Sequence, residues 1–500
     1  MRFDQVVATA WWLFFWTALG LCVGSFLNVV LYRVPRGLSI RSPLWSMCPF
    51  CRRRIAWYDN IPLLSFAVLG GRCRQCRMPI ATRYVVVEAV SAVLVLVLLD
   101  VFFVGHLRAG LCAARFGLTD QLAFDWPIFT AHVILFLGLF SMSVIDVEHY
   151  WVDIRVTHLA TAAGFALHML WTPRHSAAWP RPAEPTAVVA LLAVLGLAAT
   201  WVVVVCQPHA DPEDFGLPAG EAEPVVGGAG SSEAGTVPRR DLAALYESPP
   251  RAAGWLAVML LGALLGVVFT SALGRDPVRP WLRAFVPLAF LFGWIVRASA
   301  VHRESDVQIV EAIQEERHGA RRAVLAELGL LLPAMALGLT GLLVVWWSPE
   351  ARERLGEMLH SQPRVWGVSL FRNWEPLWGL ATAASGYVLA GALGWAVRIG
   401  FTLLLGKEAF GVGDIHLMAT AGAIAGWPVA VIGFAVACAL ALLGWVLTLP
   451  FKVSRAVPLG PWLALSFLVV VIYYEWLVQT PLLSRAREVA RMLIVTISQP

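Results

Sequence analysis

Apolar residues fall along this chain in long unbroken runs divided by short polar stretches, the pattern of helices that cross a bilayer. A hydrocarbon core about 30 Å thick calls for about 20 apolar residues in a helix. Runs of that kind lie near 6–31, 84–104, 128–147, 154–172, 186–206, 253–273, 280–301, 323–347, 376–405, 428–450 and 457–478. A shorter apolar piece, 415–427, begins just after Asp414 and reads as a short or re-entrant helix, which brings the expectation to about 12 membrane segments. The first run is too long for the core of a signal peptide and no small-residue cleavage site follows it, so it counts as the first span.

Three hydrophilic stretches interrupt the pattern. Residues 33–83 are rich in Arg, Pro and Cys, long enough for a small metal-stapled domain. Residues 207–252 are acidic, rich in Gly, Pro and Ser and without period, the composition of a disordered linker. Residues 302–322 place Val307, Val310 and Ile313 among charges, which predicts a short helix on the membrane surface. The last residues, 481–500, predict an amphipathic tail. The expected organisation is a first helix at 1–32, a four-cysteine domain at 33–83 and membrane core at 84–172. An inserted transmembrane region follows at 173–375, then further membrane core at 376–480.

Composition agrees. Hydrophobic residues make up 59% of the 500 and charged residues 14%, against roughly 25% charge in soluble domains. The fold class is therefore all-α, a polytopic membrane helical bundle with a small cytoplasmic domain between its first two helices. From Arg33 to Arg83 there are ten arginines and one acidic residue, Asp59. Between two spans such a patch marks the cytoplasmic side rather than a nucleic-acid site, and no nucleic-acid partner is expected.

Cys48-Pro-Phe-Cys51 and Cys73-Arg-Gln-Cys76 are two CxxC pairs. Together they offer four thiolates for a tetrahedral zinc ion of structural type, with no open coordination position. Two disulfides are the alternative, disfavoured on a reducing cytoplasmic face.

Ionisable groups inside spans are expensive and mark function by default. Asp146 ends an apolar run; Asp414 opens another after a glycine-rich turn, where Gly411 and Gly413 would let an extended substrate backbone approach. Two carboxylates sharing a low-dielectric site cannot both ionise, so one serves as acid while the other activates water. Six spans separate the two, an even number, which returns the chain to the same membrane face. Asp153, directly before the next span, reads as a helix cap.

Taken together the motifs resemble the type IV prepilin peptidases (leader peptidases/N-methyltransferases), a family of GxGD aspartic proteases. They are GSFLNVVLYRVPRG (24–37), CPFC, WYDNIPLLSF (57–66), GRCRQCRMPIATRY followed by Glu88, Ser143–Asp153, GKEAFGVGDIHLMA, AGAIAGW and VPLGPWLALS (457–466). The resemblance implies that Asp146 and Asp414 are the catalytic pair and that Cys48, Cys51, Cys73 and Cys76 hold zinc. It implies an enzyme of the inner membrane that cuts the basic leader from type IV pilin or pseudopilin precursors at the cytoplasmic face. Methylation of the new N-terminal residue from S-adenosylmethionine is implied in the same way. The chain departs from the family in having Val152 before Asp153 where Pro is usual, His416 where Lys is usual, and four extra spans at roughly 186–347. Outside the resemblance, a proton-coupled transporter or a catalytically inactive assembly scaffold of a pilus or secretion system are the competing classes.

Overall fold

Alternation of apolar runs and polar turns becomes a bundle of antiparallel helices in the structure, a computed structural model. It describes residues 3–41, 44–108, 118–149, 152–171, 179, 182–206, 251–274, 278–299, 320–363, 374–406, 408, 410–449, 458–481 and 484–485. All but the last two residues of the expected linker at 207–252, most of the expected surface helix at 302–322 and the tail from 486 lie outside the described residues; residues 251–252 begin a helix. Among the described residues there are no strands, only two isolated bridges in the four-cysteine domain. The all-α expectation holds.

The helices are α1 (Phe3–Arg33), α2 (Thr82–Leu99), α3 (Leu118–His149), α4 (Ile154–Leu170), α5 (Glu184–Cys206), α6 (Arg251–Ala272) and α7 (Pro280–Ser299). After them come α8 (Ala320–Trp347), α9 (Pro349–Leu359), α10 (Pro376–Leu405), α11 (Val412–Ala425), α12 (Trp427–Thr448) and α13 (Gly460–Val478). Among the described residues nine are long and apolar enough to cross a membrane; α11 is a shorter apolar helix, and α5 is apolar over Glu184–Thr200. With α4, α5 and α11 added, the helices among the described residues roughly match the expectation of about 12 segments.

Two elements differ from expectation. Helix α3 starts at Leu118, well before the run at 128–147, and passes through Pro127. Helix α9 was not expected, because its hydropathy is low. Its sequence signal is nevertheless present: Ser348 caps it by accepting the N–H of Ala351 at 3.2 Å, and Pro349 fills the first helical position.

At one end of the bundle Arg83, just beyond the four-cysteine domain, pairs with Glu148 at the end of α3 at 2.9 Å. That contact places the cysteine domain and the C-terminal end of α3 together. The same end receives the start of α11, the helix with Asp414. Helix α11 has 14 residues, about 21 Å at 1.5 Å per residue, too short for the hydrocarbon core. Its buried C-terminal carbonyls therefore need a donor. Arg108, 2% exposed, enters from the opposite end and donates to the Ala425 carbonyl at 2.9 Å. Its guanidinium lies between the rings of Trp179 and Tyr474, 4.4 and 4.6 Å from their centroids. A cation at the C-terminus and a carboxylate in the first turn both suit the helix dipole. Helix α11 also presses on α10 so closely that a Cβ on Gly386 would stand 2.0 Å from the Gly422 carbonyl oxygen, so neither helix tolerates a side chain there.

The four extra spans are α5 to α8. Helices α5 and α8 pack on each other and on α10; α6 covers α2 and α7 lies on α12 and α13. The apolar stretch of α2 is completely buried as a result. Where α2 widens into a π turn at Asp100–Val104, Arg283 of α7 holds Asp100 with two bonds of 2.9 and 2.8 Å. The same arginine donates to Ser271 and to the Val278 carbonyl. Both side chains are almost completely buried.

Removing one member of such a pair strands the other. Asp100→Leu alone is expected to cost about 3–5 kcal/mol, read as a lower melting temperature in detergent. Asp100→Leu with Arg283→Met is expected to recover most of that loss, because no charge is then left in the interior.

Candidate active site and metal centre

Asp414 owes its place to the start of α11. Gly411, in extended conformation, is the N-cap. Asp414 lies three residues on, where an acidic side chain reaches back to the cap's own amide. A Cβ on Gly411 would stand 3.2 Å from an Asp414 carboxylate oxygen. Gly413 sits against Val152, so tightly that a Cβ would meet the Val152 Cβ at 2.7 Å. This contact ties the turn between α3 and α4 to the turn before α11.

Asp146 projects from the last turns of α3 and is buried. One of its oxygens accepts the N–H of Gly460, the first residue of α13, at 3.1 Å. A Cβ at Gly460 would come within 2.6 Å of that oxygen, so glycine is required by this approach. The charge of Asp146 acts on Asp414. The two carboxylates, predicted to share a face by span parity, thus lie within electrostatic reach of one another at the cysteine-domain end of the bundle. Among the described residues neither has a cation partner. Two such groups can hold one proton between them, one acting as acid and the other as base.

The neighbours are placed as well. Asp153 caps α4, accepting the Arg155 amide at 2.9 Å and its guanidinium at 2.7 Å; the capping expectation holds. His416 does not face the pair but packs edge-on against His158 of α4, ring centroids 5.4 Å apart. Gly460 and Arg398 have roles at the site that the sequence reading did not assign.

The four cysteines come together as expected. Cys48-x-x-Cys51 and Cys73-x-x-Cys76 form matching knuckles closed by the bridges Met47–Arg54 and Arg72–Pro79. In each, the residue after the second cysteine takes a positive φ, 55° at Arg52 and 59° at Arg77, and turns its amide back to the first cysteine's carbonyl. All four sulfurs lie within 4.8 Å of one another, and the thiols of the described cysteines are free rather than bridged. The Cys48–Cys76 sulfur separation is 3.8 Å. Tetrahedral ligation at a metal–sulfur distance of about 2.3 Å asks for an edge of about 3.8 Å. The site can hold a metal ion. Burial pushes the Cys48 thiol up to about 12. At Cys73 burial is outweighed by the backbone amides of Cys76 and Gln75, and the thiol comes down to about 7. Beside the knuckles Arg74 grips Asp59 with two bonds of 2.7 Å and holds its carboxyl below the usual range.

Between this domain and the ends of α1 and α2 lies a cavity of about 650 Å³, lined among others by Asn28, Tyr32, Tyr58, Phe66, Tyr84 and Glu88. Glu88 is buried and accepts the amide of Leu63 at 2.9 Å. Leu63 has φ 58°, a conformation costly for leucine, and the carboxylate helps to hold it.

Substituting any one knuckle cysteine by serine removes a quarter of the ligand set. Cys73→Ser protein is expected to purify with a small fraction of the metal carried by the unaltered chain, measured by elemental analysis.

Residues 18–102 match the Bacterial Peptidase A24 N-terminal domain. The prepilin leader peptidase/N-methyltransferase of Myxococcus xanthus (strain DK1622) is 42% identical over 149 residues, 30% of this chain and 38% of that protein. The protein of the same description from Vibrio cholerae serotype O1 is 42% identical over 84 residues, 15% and 33% of the two chains. A type 4 prepilin-like proteins leader peptide-processing enzyme of Escherichia coli O78:H11 is 34% identical over 197 residues, 36% of this chain and 61% of that one. The chain therefore spans between about a third and three fifths of the length of these relatives. No solved structure matches. Residues 18–102 thus carry the A24 N-terminal domain, and the matched part of the chain is similar to prepilin leader peptidases.

Proposed function

We propose that the protein is an aspartic endopeptidase of the bacterial inner membrane. Its substrates are the leaders of type IV pilin-like or pseudopilin precursors, cut at the cytoplasmic face, and it methylates the N-terminus thus released. The observation that carries this reading is that Asp146 and Asp414, from helices far apart along the chain, lie within electrostatic reach of each other with no cation partner among the described residues. The ionised member takes a proton from water, which attacks the carbonyl carbon of the peptide after the leader's last glycine. The protonated member hydrogen-bonds the carbonyl oxygen as negative charge develops there; the tetrahedral adduct then collapses with cleavage of the C–N bond, the leaving nitrogen taking the proton that the first carboxylate removed from water. Gly411 leaves the cap beside Asp414 without a side chain; the face of Gly413, expected to admit substrate, is filled by Val152 instead, and Gly460 keeps one oxygen of Asp146 oriented.

The four-cysteine site holds zinc in this reading, in a structural role, since four sulfurs leave no open position. The cavity beside it fits S-adenosylmethionine: aromatic rings suit an adenine, and the buried carboxylate of Glu88 suits a cationic centre. When bound, that cofactor supplies the electrophilic methyl group. Tyr32 and Tyr84 would flank it, and Glu88 would hold positive charge at the mouth of α2.

Co-expression with a precursor pilin tests both halves. Asp146→Asn and Asp414→Asn are each expected to reduce leader removal at least a thousandfold, seen as unprocessed precursor on gels; cleavage by either variant would remove the pair from the mechanism. Glu88→Gln is expected to leave cleavage intact and to abolish the added methyl mass on the new N-terminus by mass spectrometry.

A further inference from the structure

Among the described residues the inserted helix α8 reaches the candidate active site through an arginine of α10. Arg398, on the last turns of α10 and 4% exposed, donates to Glu327 of α8 through Nε at 2.8 Å and Nη2 at 2.7 Å. This bidentate fork uses one edge of the guanidinium. Its remaining amino group, Nη1, points the other way and donates to the Phe410 carbonyl and to the Glu408 carboxylate. Phe410 directly precedes the cap residue Gly411. The peptide group joining them therefore faces Arg398 with its oxygen and Asp414 with its N–H. A second residue of α8 reaches the same segment, since the Arg321 guanidinium stands 3.4 Å from where a Cβ on Gly406 would lie.

We infer that the inserted helix α8 is a positioning element for Asp414, acting through Glu327, Arg398 and the Phe410–Gly411 peptide. Glu327 selects the rotamer in which Arg398 can reach that peptide; a planar fork held on one edge has its other nitrogen aimed without further loss of side-chain freedom. Arg398 then fixes the orientation of the peptide, and the peptide N–H fixes the carboxylate. None of these groups touches substrate. The extra spans in this view belong to the catalytic architecture and are more than a lipid-facing addition. This inference rests on the peptidase reading for its rate consequence, but its structural half does not.

Two measurements on full-length protein in nanodiscs separate the parts. The first is hydrogen exchange of the segment 406–414. Glu327→Gln is expected to speed exchange there at least fivefold while leaving α2, α3 and α13 unchanged; Glu327→Asp is expected to restore part of the protection. The second is steady-state cleavage of a precursor pilin. Glu327→Gln is expected to lower kcat about tenfold, which is about 1.4 kcal/mol, with KM within twofold, and Arg398→Lys to lower kcat further, because an ammonium cannot hold Glu327 and the peptide at once. Unchanged exchange at 406–414 in folded Glu327→Gln protein overturns the inference, as does a loss expressed in KM alone. Altered exchange with no cleavage by the unaltered protein overturns the peptidase reading and leaves the positioning link standing.

Discussion

Charge inside a low-dielectric bundle has to be matched, and the organisation of this protein follows from which charges are matched and by what. Asp100 has Arg283, Glu327 has Arg398, and Asp153 has Arg155. Arg108 is set against a helix C-terminus and between two aromatic faces. Against that background Asp146, Asp414 and Glu88 stand apart: each is oriented by a backbone amide and none by an arginine or lysine among the described residues. An amide fixes the direction of a carboxylate without locking it in the ionised state as a guanidinium would. Carboxylates that must exchange a proton, or meet a positive ligand, are best held in that way.

The second requirement is close approach. The site is assembled from turns that are distant in sequence, and each junction is made where a side chain is missing. Gly413 admits Val152, and Gly460 admits Asp146. Behind them Gly386 and Gly422 let α10 and α11 touch backbone to backbone. The Val152 position illustrates the coupling. Its side chain fills the space above Gly413 and so joins the two aspartate-bearing segments.

Much of this was legible in the sequence, for reasons that differ by element. The spans were legible because a bilayer imposes a length on every apolar run, and the zinc-type knuckles because CxxC spacing is itself a geometric statement. The union of Asp146 and Asp414 followed from the parity of the intervening spans, which survives any error in their ends. Helix α9 was missed because amphipathic and polar helices carry no hydropathy signal, although Ser348 and Pro349 announced its start. Arg398 was missed for a less forgivable reason. It interrupts the apolar run 376–405, and the rule that singled out Asp146 applies equally to an arginine. The partners of Gly460 and Glu327 could not be read at all, because nothing in a linear pattern says which helices become neighbours.

An insertion between two carboxylates that are to share one site is tolerated only under two conditions, and both are visible here. An even number of crossings restores the second residue to its membrane face. Docking must also replace lipid by protein without leaving a buried charge alone. Helices α5 and α8 pair with each other and lie on α10, while α6 and α7 cover α2 and α13, so the inserted spans wrap an existing bundle instead of parting it. Their two buried ion pairs lie at opposite ends, Asp100 with Arg283 at one and Glu327 with Arg398 at the other. The first joins the insertion to a π turn away from the aspartates. The second joins it to the residue before the cap of α11. A covering that served stability alone would need no arginine aimed at that peptide, and an apolar contact would dock α8 on α10 at lower desolvation cost. The charge at Arg398 is explained by what its remaining nitrogen holds.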